Sequence, residues 1–344
     1  MKTINYGRFR FLFAALVAVT LVLGVVGMAD ISSTPYSGYQ IGTDYMVIDV
    51  ASGSPAAMAG IQVGDRILEV GGTPTAKLYK LSRQLRPGIG EEQKITVLRG
   101  ETQHELTLRQ VALPLKNWFL AWARNLVALT ILGVGLIVYW LQPNKASSLF
   151  FLANLGIALS LMTPPHLESF ALRTLVALNA LVFLMMGLSF FLHLTVIFPK
   201  PKPAVVETPV EYLIYGVAPL AAVYYVGLRL LQPEADLLVN QTLHYFFGLL
   251  VLLCLALGLA ALTHSYWKAS SAERSKGLGL LLLGSLVGIV PPAAGLLTYT
   301  FLPKIVLPGN EAYPLCVLIA SLSFARALRR TARGVRLEDV PTIA

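Results

Sequence analysis

Apolar runs of about 20 residues recur along most of this chain, the length a helix needs to cross the hydrocarbon core of a bilayer. Of 344 residues, 13% are charged and 56% are hydrophobic, whereas a soluble protein carries about a quarter charged residues. The runs predict a polytopic α-helical membrane protein with about eight spans. One insert breaks the pattern. Residues 1–31 form a first span or signal anchor, and residues 32–113 form a polar, turn-rich insert long enough for one small β-rich core. Residues 114–328 return to the membrane as a seven-span domain in the about-eight-span scheme. Residues 329–344 form a basic tail.

Lys2, Arg8 and Arg10 precede the apolar run Phe11–Ala29. That run is either a retained anchor or a signal peptide cleaved after Gly27-Met28-Ala29, and its length favours retention. After the insert, Trp118 and Trp122 mark an interface, and Leu126–Leu141 completes the next span. Leu149–Met162, Phe170–Phe198, Pro209–Leu231, Leu243–Trp267, Gly277–Phe301 and Tyr313–Leu328 follow.

The formal charge is +9, and its distribution is that of loops beside spans. Lys145, the pair Lys200 and Lys202, the group Lys268, Arg274 and Lys276, and the arginines from Arg326 to Arg336 fall on one side. The opposite loops, with His166, Glu168, Glu234, Asp236, Lys304 and Glu311, have no basic excess. The positive-inside rule puts both chain ends in the cytoplasm and the insert outside it. It also accounts for the positive charge without a nucleic-acid partner. The basic tail suits anionic membrane lipid or an acidic partner.

Within the insert, Gly53–Pro74 is the most patterned stretch. Ser54 can cap a short helix, and Pro55 suits its first position because the N–H it lacks would be unpaired there. Gly60 stands where a left-handed cap is needed, Gly64-Asp65 makes a tight turn, and Arg66–Val70 reads as a strand offering Ile67, Leu68 and Val70 to a core. Gly71-Gly72 then turns the chain back. Tyr45–Val50, Gln93–Arg99 and His104–Leu108 read as further strands, the last two joined at Gly100-Glu101, and Lys77–Leu85 reads as a helix.

The series Gly-Ser-Pro-Ala-x-x-Ala-Gly-Ile followed by Gly-Asp-x-Ile resembles the core signature of bacterial PDZ domains, over roughly Ser33–Gln110. The resemblance implies a groove in which an extended peptide adds a strand and a glycine loop captures its terminal carboxylate. The corresponding loop is Tyr36-Ser37-Gly38-Tyr39, with Gln40 and Ile41 opening the strand and Lys77 and Leu78 lining the pocket from the helix. Ser37 replaces the usual hydrophobic residue, and Gly42-Thr43-Asp44 shortens the strand. The alternative is a domain that packs on its own loops or on a second copy in a homodimer.

No protease chemistry is legible. His104-Glu105 lies in a predicted strand and lacks the second histidine of a zinc-binding His-Glu-x-x-His helix. No cofactor motif or metal spacing is present, and Cys254 and Cys316 fall inside apolar runs. Asn125, Asn154, Asn179, His193, His244 and His264 are polar residues within spans. Asn154 and Asn179 lie deepest and are the better candidates for an interior pocket.

The order of parts resembles the sensor half of ComP-type histidine kinases: an anchor, an outer PDZ domain and further spans. Phe198-Pro199-Lys200-Pro201, Glu273-Arg274-Ser275-Lys276 and Pro291-Pro292 carry that likeness. The resemblance implies a peptide sensor that signals to a separate cytoplasmic kinase or regulator, because no kinase domain follows the last span here. A PDZ-based envelope scaffold and a transporter-like protein are the alternatives.

Overall fold

In the computed structural model, the described residues are all except 1–5, 43–44, 76–87, 164–169, 200, 203–204, 206–212, 217–219, 221, 225–236, 271–276, 303–304, 306 and 339–344. They form a small β domain and a set of long apolar helices.

Helix α1 (Arg10–Ala29) leads into the β domain. Its strands are β1 (Pro35–Tyr36), β2 (Tyr39–Ile41), β3 (Val47–Val50), β4 (Arg66–Val70), β5 (Thr73–Pro74), β6 (Glu92–Arg99), β7 (Thr102–Arg109) and β8 (Val111–Ala112). Strands β5-β4-β6-β7 form one antiparallel sheet, while β2 pairs with β3 and β1 with β8. The short helix α2 (Pro55–Met58) starts where Ser54 and Pro55 predict it, with the Ser54 hydroxyl accepting from the Ala57 amide at 3.3 Å. Gly71 and Gly72 take φ of +58° and +75°, so the two-residue turn between β4 and β5 closes without a Cβ penalty.

The core of the domain comprises Val47, Ala56, Ile61, Ile67, Val70, Ile95, Val97 and Leu108. Leu68 is not part of it. The β4–β6 register shifts between Ile67 and Glu69, so Leu68 is an extra residue in the ladder. Strict alternation would put Ile67 and Glu69 on one face. The bulge instead brings Ile67 and Val70, three positions apart, to the buried face.

The second part begins with α3 (Leu115–Leu141) and α4 (Lys145–Leu161). It continues with α5 (Phe170–Ile197), α6 (Leu237–Trp267), α7 (Gly279–Phe301) and α8 (Val317–Glu338). Each packs on the next, and α8 returns to α3, which closes a ring; α1 lies against α3. The Phe13 ring of α1 sits 4.5 Å from that of Phe151 and 4.6 Å from that of Tyr139, centroid to centroid. Arg10 donates to the Trp140 carbonyl at 3.1 Å.

Among the described residues, five stretches are long and apolar enough to cross a membrane: Tyr6–Ser33, Leu115–Leu141, His244–Trp267, Gly279–Phe301 and Asn310–Arg330. Lys145–Leu161 and Leu181–Ile197 are shorter apolar helices. The predicted span Pro209–Leu231 lies largely outside the described residues; its pieces at 213–216 and 222–224 are helical. At the C-terminal end, helix α8 does not stop near Leu328 but runs on to Glu338, so much of the expected basic tail is helical.

Glycines set the closest crossings. A Cβ on Gly156 would lie 2.3 Å from the Phe183 carbonyl oxygen and 2.6 Å from the Gly187 Cα, so α4 and α5 touch backbone to backbone. Gly288 brings α7 against the backbone of α8 at Ala320, and Gly284 makes room for the Ser323 side chain. Such small-residue contacts substitute for the hydrophobic effect where no water remains to be released. Replacing Gly156 by Leu is expected to cost at least the ~1–3 kcal/mol of an overpacked core. A thermal midpoint lowered by several degrees in detergent, with Gly133→Leu as the tolerated control at an open position, checks this.

Candidate functional site

The loop Tyr36–Tyr39 joins β1 to β2 and is held from below by its carbonyls. The Ser37 carbonyl accepts from the Ala56 amide at 2.9 Å, and the Gly38 carbonyl accepts from the Ala51 amide at 2.8 Å. Both donors flank the start of α2, so the Gly-Ser-Pro-Ala signature anchors the loop. The amides of Ser37 and Gly38 have no carbonyl partner among the described residues. Gly38 has φ +83°, and a Cβ there would meet the Ser54 Cβ at 2.1 Å. Only glycine allows this backbone beside the helix cap. Successive amides turned outward by a left-handed residue make a concavity suited to an anion.

Strand β2 continues from the loop. One edge pairs with β3, with Tyr39 opposite Val50 and Gln40 opposite Asp49; among the described strands no other pairs with β2. Tyr39 packs partly on the domain core, while Gln40 is exposed and Ile41 is 37% exposed. The structure thus brings Tyr36, Ser37, Gly38, Tyr39, Gln40 and Ile41 into one continuous edge. Lys77 and Leu78, and the helix predicted over Lys77–Leu85, lie outside the described residues.

Tyr36 has a second role. It is one of the two residues of β1 and pairs with Val111 of β8, three residues before Pro114 and α3. The neighbouring Ser37 hydroxyl donates to the Gln110 side-chain oxygen at 3.1 Å, and the Gln110 amide donates to Gln93 at 3.3 Å. The loop is therefore continuous with the two-stranded stalk joining the domain to the helices. Burial, helped by the nearby Asp49 and Glu311 charges, pushes the Tyr36 phenol up from its ordinary value.

Asp65 was legible only as a turn residue. Its carboxylate is 1% exposed and receives the Arg99 guanidinium as a fork, Nε to Oδ1 and Nη2 to Oδ2, each at 2.7 Å. The Gln62 amide donates to the same carboxylate at 2.9 Å, and Arg99 also donates to the Gly60 carbonyl. Asp65 is thus a structural clamp between the α2–β4 turn and the β6–β7 hairpin. No sequence signal pairs the two, because Arg99 comes 34 residues later.

Among the span residues, Asn125 ties α3 to the end of α4, donating to Thr163 Oγ1 at 2.9 Å and accepting from the Thr163 amide at 3.1 Å. His193 is buried with Nδ1 against the Tyr215 hydroxyl. The His244 ring lies beside those of Tyr245 and Tyr299. Asn154 lines a cavity inside the ring of helices. The side chain of Asn179 lies outside the described residues. Arg326, Arg329 and Arg330 line a groove between α3 and α8, with Val134, Ile137, Val138 and Leu322 as its apolar wall.

The cap, the glycine loop and the edge strand are those of a PDZ domain, and residues 24–109 match the PDZ domain family. The chain is also similar to HhoB of Synechocystis sp., a candidate serine protease, at 30% identity over 109 residues. That stretch is 31% of this chain and 26% of HhoB, so the chain spans about a quarter of the length of this curated relative.

The Asp65 clamp gives the domain an acid-sensitive component. Arg99 holds the Asp65 carboxyl below the usual carboxylate range, outweighing the opposing effect of burial. A carboxyl that titrates lower when folded contributes fully above its unfolded value, near pH ~4. That contribution is lost as pH falls through the folded value. Asp65→Asn is expected to lower protection of the Ile95 and Val97 amides from hydrogen exchange by about 2 kcal/mol near pH 7, the scale of charge-assisted hydrogen bonds. The difference from the unsubstituted protein should shrink below pH ~4.

Proposed function

We propose that this chain is a membrane sensor of receptor type. Its PDZ domain binds an extended peptide or protein terminus outside the cytoplasm, and the helices pass that state to a separate cytoplasmic kinase or regulator. The observation that carries this reading is the continuity of the loop with the stalk. A carboxylate captured by the Ser37 and Gly38 amides would act on Tyr36, whose partner strand β8 leads directly into α3.

The direction of the chain supports the assignment of sides. Arg10 sits beside Trp140 at the far end of α3 from the β domain, and Gly277, before α7, lies close to Arg330 of α8. The basic residues thus gather at the end opposite the PDZ domain, as the positive-inside rule expects of a cytoplasmic face. Helix α5 ends at Ile197, toward the basic end, while α6 comes to Gly279 with Tyr266 and to Thr300 with Gly248. Helix α6 therefore begins at the PDZ end, and one further crossing between α5 and α6 gives the eight-span scheme. Ala222 packs with Met185, Leu188, Phe247 and Cys254, which suits such a crossing. Retention of α1 is supported by the burial of Phe13 and Val17 against α3 and α4. The arginine-lined groove suits the head group of an anionic lipid.

The likeness to HhoB, which spans 31% of this chain, supports a shared peptide-reading module. A scaffold that recruits envelope proteins through the same groove is the second reading, in which no signal passes to the helices.

The test uses the whole chain in lipid nanodiscs and a library of peptides with free or amidated C-termini. Free-carboxylate peptides are expected to bind, with amidation weakening them at least about tenfold, or ~1.4 kcal/mol. Ile41→Asp, at an exposed edge position, should weaken binding to a similar degree and leave hydrogen exchange of the domain core unchanged. Gly38→Ala is the wrong probe for the groove, since its Cβ displaces the helix cap. Equal binding of free and amidated peptides would overturn carboxylate capture.

A further inference from the structure

We propose that the groove between α3 and α8 is a binding site for one phospholipid whose head group is anionic and carries no ammonium. Arg326, Arg329 and Arg330 take its phosphate, and Val134, Ile137, Val138 and Leu322 take the start of an acyl chain. The inference deepens the head-group fit noted above and rests on the membrane reading of the helices, not on a signalling role.

The groove has a volume of about 490 Å³, within the ~300–1,000 Å³ of ordinary ligand sites. It lies away from the PDZ domain. Helix α3 follows β8 directly, and Lys116 at its start pairs with Glu311 at 2.8 Å, shortly before α8 begins at Val317. Both helices therefore run from the PDZ end, and the groove takes late residues of α3. The apolar stretch Asn310–Arg330 ends on the arginines. That order places the guanidiniums at the level of lipid head groups, with the apolar wall beneath them.

The three arginines have no counter-charge of their own. They stand three and four residues apart, so helical periodicity puts them on one face, where like charges one turn apart repel. All three are exposed, and none has a hydrogen bond or ion pair among the described residues. Neither wall of the groove offers a carboxylate: α3 contains no Asp or Glu, and α8 has none before its last residue, Glu338. Exposed lysines of the chain are better served, Lys94 by Glu105 at 3.2 Å and Lys116 by Glu311. The groove takes its anion from outside the two helices that build it.

The apolar half of the groove decides which anion. Guanidinium forks match phosphate oxygens, and a soluble phosphate would satisfy the arginines alone. Ile137 and Leu322, which line the same groove, are 56% and 47% exposed. Leu322 and Arg330 are separated by about 12 Å along the axis at helical rise. Charge and apolar surface are thus stacked along the helices, as phosphate and acyl chain are stacked in a lipid. An acidic protein segment would have to descend below the head groups, where its backbone polar groups lose water. A head group bearing an ammonium would set a fourth cation against three.

The test mixes the full chain, purified in a neutral detergent, with phosphatidylglycerol and phosphatidylcholine of equal chain length. Retained lipid is counted by native mass spectrometry. The chain is expected to keep phosphatidylglycerol about tenfold more than phosphatidylcholine. The triple variant Arg326→Gln, Arg329→Gln with Arg330→Gln should bring the two lipids to parity. A control, Arg8→Gln, Lys145→Gln with Lys268→Gln, removes as many charges from the same end outside the groove and should keep the preference. Should the triple variant fail to fold, Arg329→Gln alone should still reduce the preference several-fold. Equal retention of both lipids by the unsubstituted chain would overturn the proposal, and so would an equal loss of preference in the control. Displacement of the lipid by glycerol 3-phosphate or by a polyglutamate peptide at the same concentration would also overturn it, in favour of a soluble anion or an acidic partner. The triple variant should still bind free-carboxylate peptides, so failure of the lipid site and failure of peptide reading are separate results. Release of the chain from membranes by alkaline carbonate would overturn the membrane reading as well; lipid parity in a chain that stays in the membrane overturns the lipid site alone.

Discussion

A helix that is apolar over its whole surface is stable only where water is absent, and several helices of this chain are long and apolar enough to cross a membrane. Phe11, Val22 and Val25 of α1 are 84%, 62% and 60% exposed to the surroundings of the chain. In the hydrocarbon of a bilayer that exposure costs nothing, but every backbone polar group must then find a partner within the protein. The helices meet this demand almost throughout, and it makes the exceptions conspicuous. Pro291 and Pro292 have no N–H to offer the carbonyls of the preceding turn of α7, and Asn154 Nδ2 and Ser321 Oγ are buried donors with no partner among the described residues. In such surroundings glycines are suited to carry the packing. Helices that gain nothing by hiding apolar surface from lipid gain by approaching closely, as α4 and α5 do at Gly156 and Gly187.

The β domain obeys the opposite rule. It folds by burying Val47, Ile67, Ile95, Val97 and Leu108 away from water, and it fixes its turns with polar clamps at Ser54 and Asp65. The two regimes meet at the stalk of β1 and β8, a few residues from α1 on one side and α3 on the other. Because Tyr36 belongs both to the stalk and to the proposed carboxylate loop, ligand capture and helix position share a residue. Two arrangements of the helices with different affinity for the ligand would complete a sensor.

What could be read from the sequence followed the range of the interactions involved. The unit from Ser54 to Val70 was legible because caps and turns are made by residues a few positions apart. The Arg99 clamp on Asp65 was not, since nothing local to either residue announces the other. The bulge at Leu68 was hidden because alternation assumes a regular ladder, and only pairing with β6 shows which residue is extra. Long apolar helices were legible from apolar length, but their ring order was not: helices apolar on every side carry no stripe to point inward. The extension of α8 to Glu338 was missed because its last turns are polar, and hydropathy marks lipid contact rather than helix. Asn154 stood out as a deep polar residue, whereas Ser321 did not, because serine in a span usually bonds back to its own helix. The loop from Tyr36 to Tyr39 was located by family likeness, and its tie to the stalk emerged only from the β1–β8 pairing.

Hydrogen–deuterium exchange of the whole chain in nanodiscs, with and without a bound free-carboxylate peptide, tests the sensor account most directly. The account predicts protection at residues 36–41 together with a changed exchange rate at the basic end of α8, around Arg326–Glu338. Protection at the loop with no change at that end would contradict signalling through the helices and leave a scaffold.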